Sequence, residues 1–209
     1  MTPDPTRDDI SFLKRVSEEG RYAPLLGGRY LLMWGTVITI AYTFQYLILS
    51  QTLAWPGWSI AAMWLIVMAI AGGFMATFPK AIRNKPGLHA VSNQVERWVW
   101  TAGGMSIFAF ASGTILAISL TGASVVLFDM IVAIALAGYG TAFLVVSYIA
   151  GQGWMRLPAI GSFIGTGIIP FFAGTPLTYL VGAVIVFFVA VIPGIILLRA
   201  EPAALKEAM

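Results

Sequence analysis

Six long apolar segments dominate this chain, and all 12 of its Lys and Arg residues fall on one side of the series. The segments are Tyr30–Ser50, Trp58–Phe78, Trp98–Leu120, Val125–Tyr148, Leu157–Ala173 and Leu177–Leu198. A helix rises about 1.5 Å per residue, so about 20 apolar residues cross a hydrocarbon core about 30 Å thick. In lipid every backbone N–H and C=O needs a partner within the protein, which leaves helices and closed barrels as the spanning structures. Barrel strands alternate apolar and polar residues, whereas Met63-Trp64-Leu65-Ile66-Val67-Met68-Ala69-Ile70 is apolar throughout. The sequence therefore predicts an all-α integral membrane protein: a six-transmembrane-helix bundle with short outer hairpin loops.

The charges predict its orientation. Arg7, Lys14, Arg15, Arg21 and Arg29 precede span one, and Lys80, Arg83, Lys85 and Arg97 lie between spans two and three. Arg156 opens span five, while Arg199 and Lys206 follow span six; the connections at 51–57, 121–124 and 174–176 carry no charge. Basic residues are retained on the cytoplasmic side, so both termini are expected inside, N-in/C-in. On this reading the net charge of +3 is a topological signal and no nucleic-acid partner is expected. The first apolar run is too long for the core of a cleavable signal and stays as a span. A multi-pass protein of the inner (plasma) membrane is the expected location, with the lipid bilayer as first partner.

With 59% hydrophobic and 10% charged residues, little chain remains outside the spans. The predicted organisation is a cytoplasmic head over 1–29, a membrane domain over 30–198 and a tail over 199–209. In the head, Thr6 and Asp9 resemble a helix-capping pair, Ile10, Leu13 and Val16 make an apolar stripe, and Gly20 is a natural stop. These features predict a short amphipathic helix lying at the membrane interface. Pro79 is expected to end span two. Leu88, Val91, Val95 and Trp98 recur at helical spacing, so span three should extend beyond the bilayer. Trp55 and Trp58 at one boundary and Trp98, Trp100 and Trp154 at the other read as an aromatic belt.

The composition excludes several chemistries. His89 is the 1 histidine and there is no cysteine, which removes a bis-histidine haem, thiolate metal sites and a buried Ser-His dyad. Lys14, Lys80, Lys85 and Lys206 all lie outside the spans, so no intramembrane Schiff base can form. No cofactor and no metal site is expected, and no catalytic constellation lies within the spans. His89, Ser92 and Glu96 fall at i, i+3 and i+7 and read as a solvated helix face.

Asp129 is the one acid embedded in a span, about a turn inside the outer end of span four. An ionisable group in a membrane helix is a functional candidate by default, although the positive end of the helix dipole also favours an acid in a first turn. Span one carries the most polar face: Thr36, Thr39, Thr43 and Tyr46 recur every three to four residues, with Gln45 beside them. Together with Asp129 these are the candidates to line a solute path; the alternative is hydrogen bonding between helices. In span five, Gly161-x-x-x-Gly165, Gly167 and Pro170 mark a close-packing, interrupted helix. Gly72-Gly73 and Gly138-x-Gly140 read as packing surfaces too. Two functions follow as expectations. The first is a non-enzymatic subunit or regulator of a membrane complex, meeting a protein partner at its basic cytoplasmic face or through span five. The alternative is a small-solute permease using Asp129 and the polar face of span one.

Overall fold

The computed structural model describes residues 23–203, so the expected head helix lies outside the described residues. Within them the chain is helical, with six helices long and apolar enough to cross a membrane. The helices are α1 (Gly28–Leu49), α2 (Trp58–Ile82), α3 (Val91–Thr121), α4 (Leu127–Ile149) and α5 (Arg156–Ile168), followed by α6 (Leu177–Val186) and α7 (Ile192–Ala200). A 3₁₀ turn, Gly153–Met155, leads into α5, and another, Ile169–Phe172, ends that span. A π turn, Phe187–Val191, joins α6 to α7 within the last span. Pro193 follows that turn and has no N–H to give the helical ladder, so wider hydrogen bonding just ahead of it absorbs the mismatch.

Pro79 does not end span two: α2 runs through it to Ile82. It removes one backbone bond near the end of the helix, where the ladder is about to stop anyway. Span three does extend, as its spacing predicts. At 31 residues α3 is about 46 Å long, well beyond the thickness of a hydrocarbon core.

The core is built from spans one, four, five and six. Leu31, Tyr42, Val132, Leu136, Phe143, Val146, Ile169, Tyr179, Val186, Ala190 and Leu197 are its buried centre. Spans one and six run antiparallel along a seam of small residues. A Cβ placed on Gly28 would lie 2.6 Å from the Leu198 nitrogen, and one on Gly194 2.7 Å from Leu32 Cα. At Gly35 it would meet Ala190 Cβ at 2.9 Å. Where backbones come this close only glycine fits, and dispersion contacts between the main chains replace side-chain packing.

Span five uses its glycines inside the same core. Gly161 faces Val189, and Gly165 is wedged between Ile185 and Leu136, whereas Gly167 looks onto open space. Gly140 receives the ring of Phe163, but Gly138, Gly72 and Gly73 have no neighbour within 4 Å. The expected packing role of Gly72-Gly73 and Gly138 is therefore not met within the chain.

Spans two and three stand apart. Helix α2 rests chiefly on α1, and α3 chiefly on α4. Only Ala71 of α2 is buried, and in α3 only Ser92, Asn93, Glu96 and Thr114. One predicted belt residue belongs to the interior instead: Trp100 packs edge-on at 5.2 Å from both Tyr139 and Phe143.

Candidate functional site: a polar relay at the hairpin end

At the end of the bundle formed by the connections 50–57, 122–126 and 173–176, side chains from four spans and one loop meet around Asp129. Asp129 lies in the first turn of α4 and is buried. The backbone N–H of Gly174, in the connection between spans five and six, donates to its Oδ2 at 2.7 Å. Gly174 has φ +82°, a left-handed conformation that residues with a Cβ adopt at a cost. That conformation turns the N–H toward the carboxylate.

The loop around Gly174 is knitted to a single carbonyl. Phe172 O accepts from the Thr175 N–H at 3.0 Å, the Thr175 hydroxyl at 2.7 Å and the Thr178 hydroxyl at 2.6 Å. Asp129 thus anchors a loop that is already ordered.

Tyr179, in the first turn of α6, lies beside both Asp129 and Gln45. On the far side of Gln45, Trp64 of α2 donates its indole N–H to Gln45 Oε1 at 2.8 Å. An indole nitrogen only donates, so the Gln45 oxygen faces Trp64 and its NH₂ faces Tyr179. The polar row Trp64, Gln45, Tyr179 and Asp129 crosses spans two, one, six and four, with the Trp64–Gln45 bond at one end and the Gly174–Asp129 bond at the other. Tyr42 closes its inner side, with ring centroids 5.7 Å from Trp64 and 5.9 Å from Tyr179. In a medium of low dielectric such bonds are stronger than in water, and breaking one leaves a partner exposed to apolar surroundings.

Of the residues singled out in the sequence, Asp129 and Gln45 meet here through Tyr179. The threonines do not join them. Thr36 is exposed, the Thr43 hydroxyl folds back onto Thr39 O at 2.8 Å, and the Thr39 hydroxyl is buried without a partner. Tyr46 packs at the edge of the apolar core. Sequence reasoning missed Tyr179, Trp64 and Gly174. Tyr179 and Trp64 read as ordinary span aromatics, and a backbone N–H leaves no mark in a pattern of side chains.

A second polar cluster sits at the terminal end. Asn93 accepts from the Leu26 N–H at 2.9 Å and donates to Pro24 O and Gly87 O, each at 2.9 Å. One turn along α3, Glu96 accepts from the Gly27 N–H at 3.1 Å. Because Gly27 is the N-cap of α1, Glu96 supplies from another helix the acceptor that the third helical residue of a capping box gives to the N-cap N–H. Nearby, Glu201 Oε2 receives Arg29 Nε at 3.0 Å and Lys85 Nζ at 2.5 Å. His89, Ser92 and Glu96 do not form the solvated face expected: Ser92 and Glu96 are buried and His89 is exposed. The segment 23–28 covers that face, a long-range contact with no helical periodicity. Among the described residues no three of His, Asp and Glu converge as a metal site.

Fold and site together define a helical protein with six candidate membrane spans and an internally hydrogen-bonded acid. No protein-family model, no curated protein and no solved structure matches the chain.

Proposed function

We propose that this chain is an integral inner-membrane protein with both termini in the cytoplasm, acting as a non-enzymatic subunit or regulator of a membrane complex. The observation that carries the reading is the state of α2 and α3. Both lie outside the core, and among the described residues Gly72, Gly73, Gly103, Gly104 and Gly113 have no neighbour within 4 Å. In lipid, helix association depends on close backbone approach at small residues, and a bare glycine on a lipid-facing helix packs poorly against acyl chains. Two such helices flanking a self-sufficient core provide surfaces for another protein's spans. Support for the orientation comes from the basic residues, which gather at the terminal end. Span five is a weaker contact surface, since Gly161 and Gly165 already meet this chain's own helices.

Purification from membranes in mild detergent should recover a partner in fixed stoichiometry, and Gly104→Leu or Gly73→Leu should release it. A monodisperse single chain with no partner sinks the reading.

The convergence on Asp129 favours a second reading, a small-solute permease with the relay at its gate. Against it stands the internal bond by which the Gly174 N–H already engages Asp129. If Asp129→Asn leaves proton-linked uptake into vesicles unchanged, Asp129 has no coupling role.

A further inference from the structure

Arg156 is a cation that the rest of the fold leaves unused. It opens α5 at the terminal end and is exposed. Among the described residues it has no hydrogen-bond or ion-pair partner. The three acids among the described residues are engaged elsewhere: Glu96 by Gly27, Glu201 by Arg29 and Lys85, and Asp129 by Gly174. Beside it an open groove runs along the last two turns of α4, lined by Leu144, Val145, Tyr148 and Ile149 with Arg156 at its mouth. Its walls are apolar apart from that guanidinium and the Tyr148 hydroxyl.

We propose that this groove is a binding site for an anionic phospholipid, its phosphate on Arg156 and an acyl chain along Leu144, Val145 and Ile149. The charge fits because a guanidinium pairs bidentately with phosphate oxygens. The placement fits because a basic residue at the end of a span stands at headgroup level, where basic pockets between helices hold acidic lipids. The groove fits because an acyl chain needs only apolar contact along its length. This inference rests on the membrane reading above.

The test uses the full chain, extracted in mild detergent from membranes containing phosphatidylglycerol and phosphatidylcholine. Native mass spectrometry then counts the lipids retained. The wild type should keep phosphatidylglycerol in preference to phosphatidylcholine. One basic residue near the surface contributes enough for about a fivefold change, so Arg156→Gln should lower retained phosphatidylglycerol about fivefold. Arg156→Lys should restore part of it. Arg199→Gln removes an exposed cation at the same end outside the groove and should change nothing. Equal loss in Arg156→Gln and Arg199→Gln, or equal retention of the two lipids, overturns the proposal. So does a photocrosslinker at position 144 that labels residues 1–22 or a second copy of the chain in place of lipid. A chain that washes out of membranes in carbonate refutes the membrane reading itself, whereas a chain that stays but shows no lipid preference refutes only the groove.

Discussion

The core spans and the flanking spans of this protein solve the same problem in opposite ways. Spans one and six bury glycines against each other's backbone, and spans four and five pack Gly140, Gly161 and Gly165 against side chains. Helices α2 and α3 carry 5 glycines, and among the described residues none of them has a neighbour within 4 Å. Glycine content therefore does not identify a packing surface; what matters is whether another helix is there to use it. In water the two groups would be told apart by hydrophobicity, since a buried face is apolar and an exposed one polar. In lipid both faces are apolar, and the distinction passes to shape and to the few polar contacts.

The comparison breaks most visibly at the seam between spans one and six. Gly35→Leu and Gly194→Leu force a side chain into main-chain atoms closer than 3.0 Å, a clash no rotamer relieves. Overpacking of this kind costs about 3 kcal/mol or more. Both variants should melt far below the wild type in detergent, followed by tryptophan fluorescence, or fail to accumulate. A melt within a degree or two of wild type would mean that spans one and six do not meet along Gly28, Gly35 and Gly194.

A smaller effect is expected at the relay. Asp129→Ala strips the Gly174 N–H of its acceptor, at about 2 kcal/mol, in the range for a buried polar group left unpaired. Tyr179→Phe removes the hydroxyl beside Gln45 and Asp129 and should cost about 1 kcal/mol. The sharper measurement is a double-mutant cycle between Gln45 and Asp129, which flank Tyr179 from two different spans. Their losses should fall short of additive by about 0.5 kcal/mol or more, as for residues in one hydrogen-bond network. Strict additivity would dissolve the relay into unrelated contacts.

What the sequence disclosed follows the same division. Six spans were legible because length and hydropathy are local properties, and Asp129 was legible because an ionisable residue stands out in apolar surroundings. Gln45 was singled out for its amide, and it does meet Asp129 through Tyr179. The threonine stripe beside it was misleading. A Thr in a helix can satisfy itself on the carbonyl four residues back, as Thr43 does on Thr39, so helical spacing alone does not make a polar face a shared one. Trp100 was placed in a belt because belts and cores both contain tryptophan at span ends, and only its contacts with Tyr139 and Phe143 decide between them. The clamp of Asn93 and Glu96 on the segment 24–27 joins residues nearly 70 positions apart. No periodicity within either segment announces it.

The smallest expected effect is the one that most sharpens the contrast between core and flank. Gly104 lies exposed on α3 with nothing within 4 Å of its absent Cβ. In the isolated chain Gly104→Leu should shift stability by no more than about 0.5 kcal/mol, the usual range for a substitution that touches nothing. Helix propensity pulls slightly the other way, because glycine is a poorer helix residue than leucine. Identical chemistry at Gly35 is expected to unfold the protein, so the pair isolates context from residue type. A melt of Gly104→Leu run with and without the co-purified partner completes the comparison. The lone chain should melt as wild type, while the complex should lose the extra stability that the partner confers on the native state by binding it. If the lone chain is itself destabilised, α3 is packed where the fold shows open space, and the division into core and flank fails.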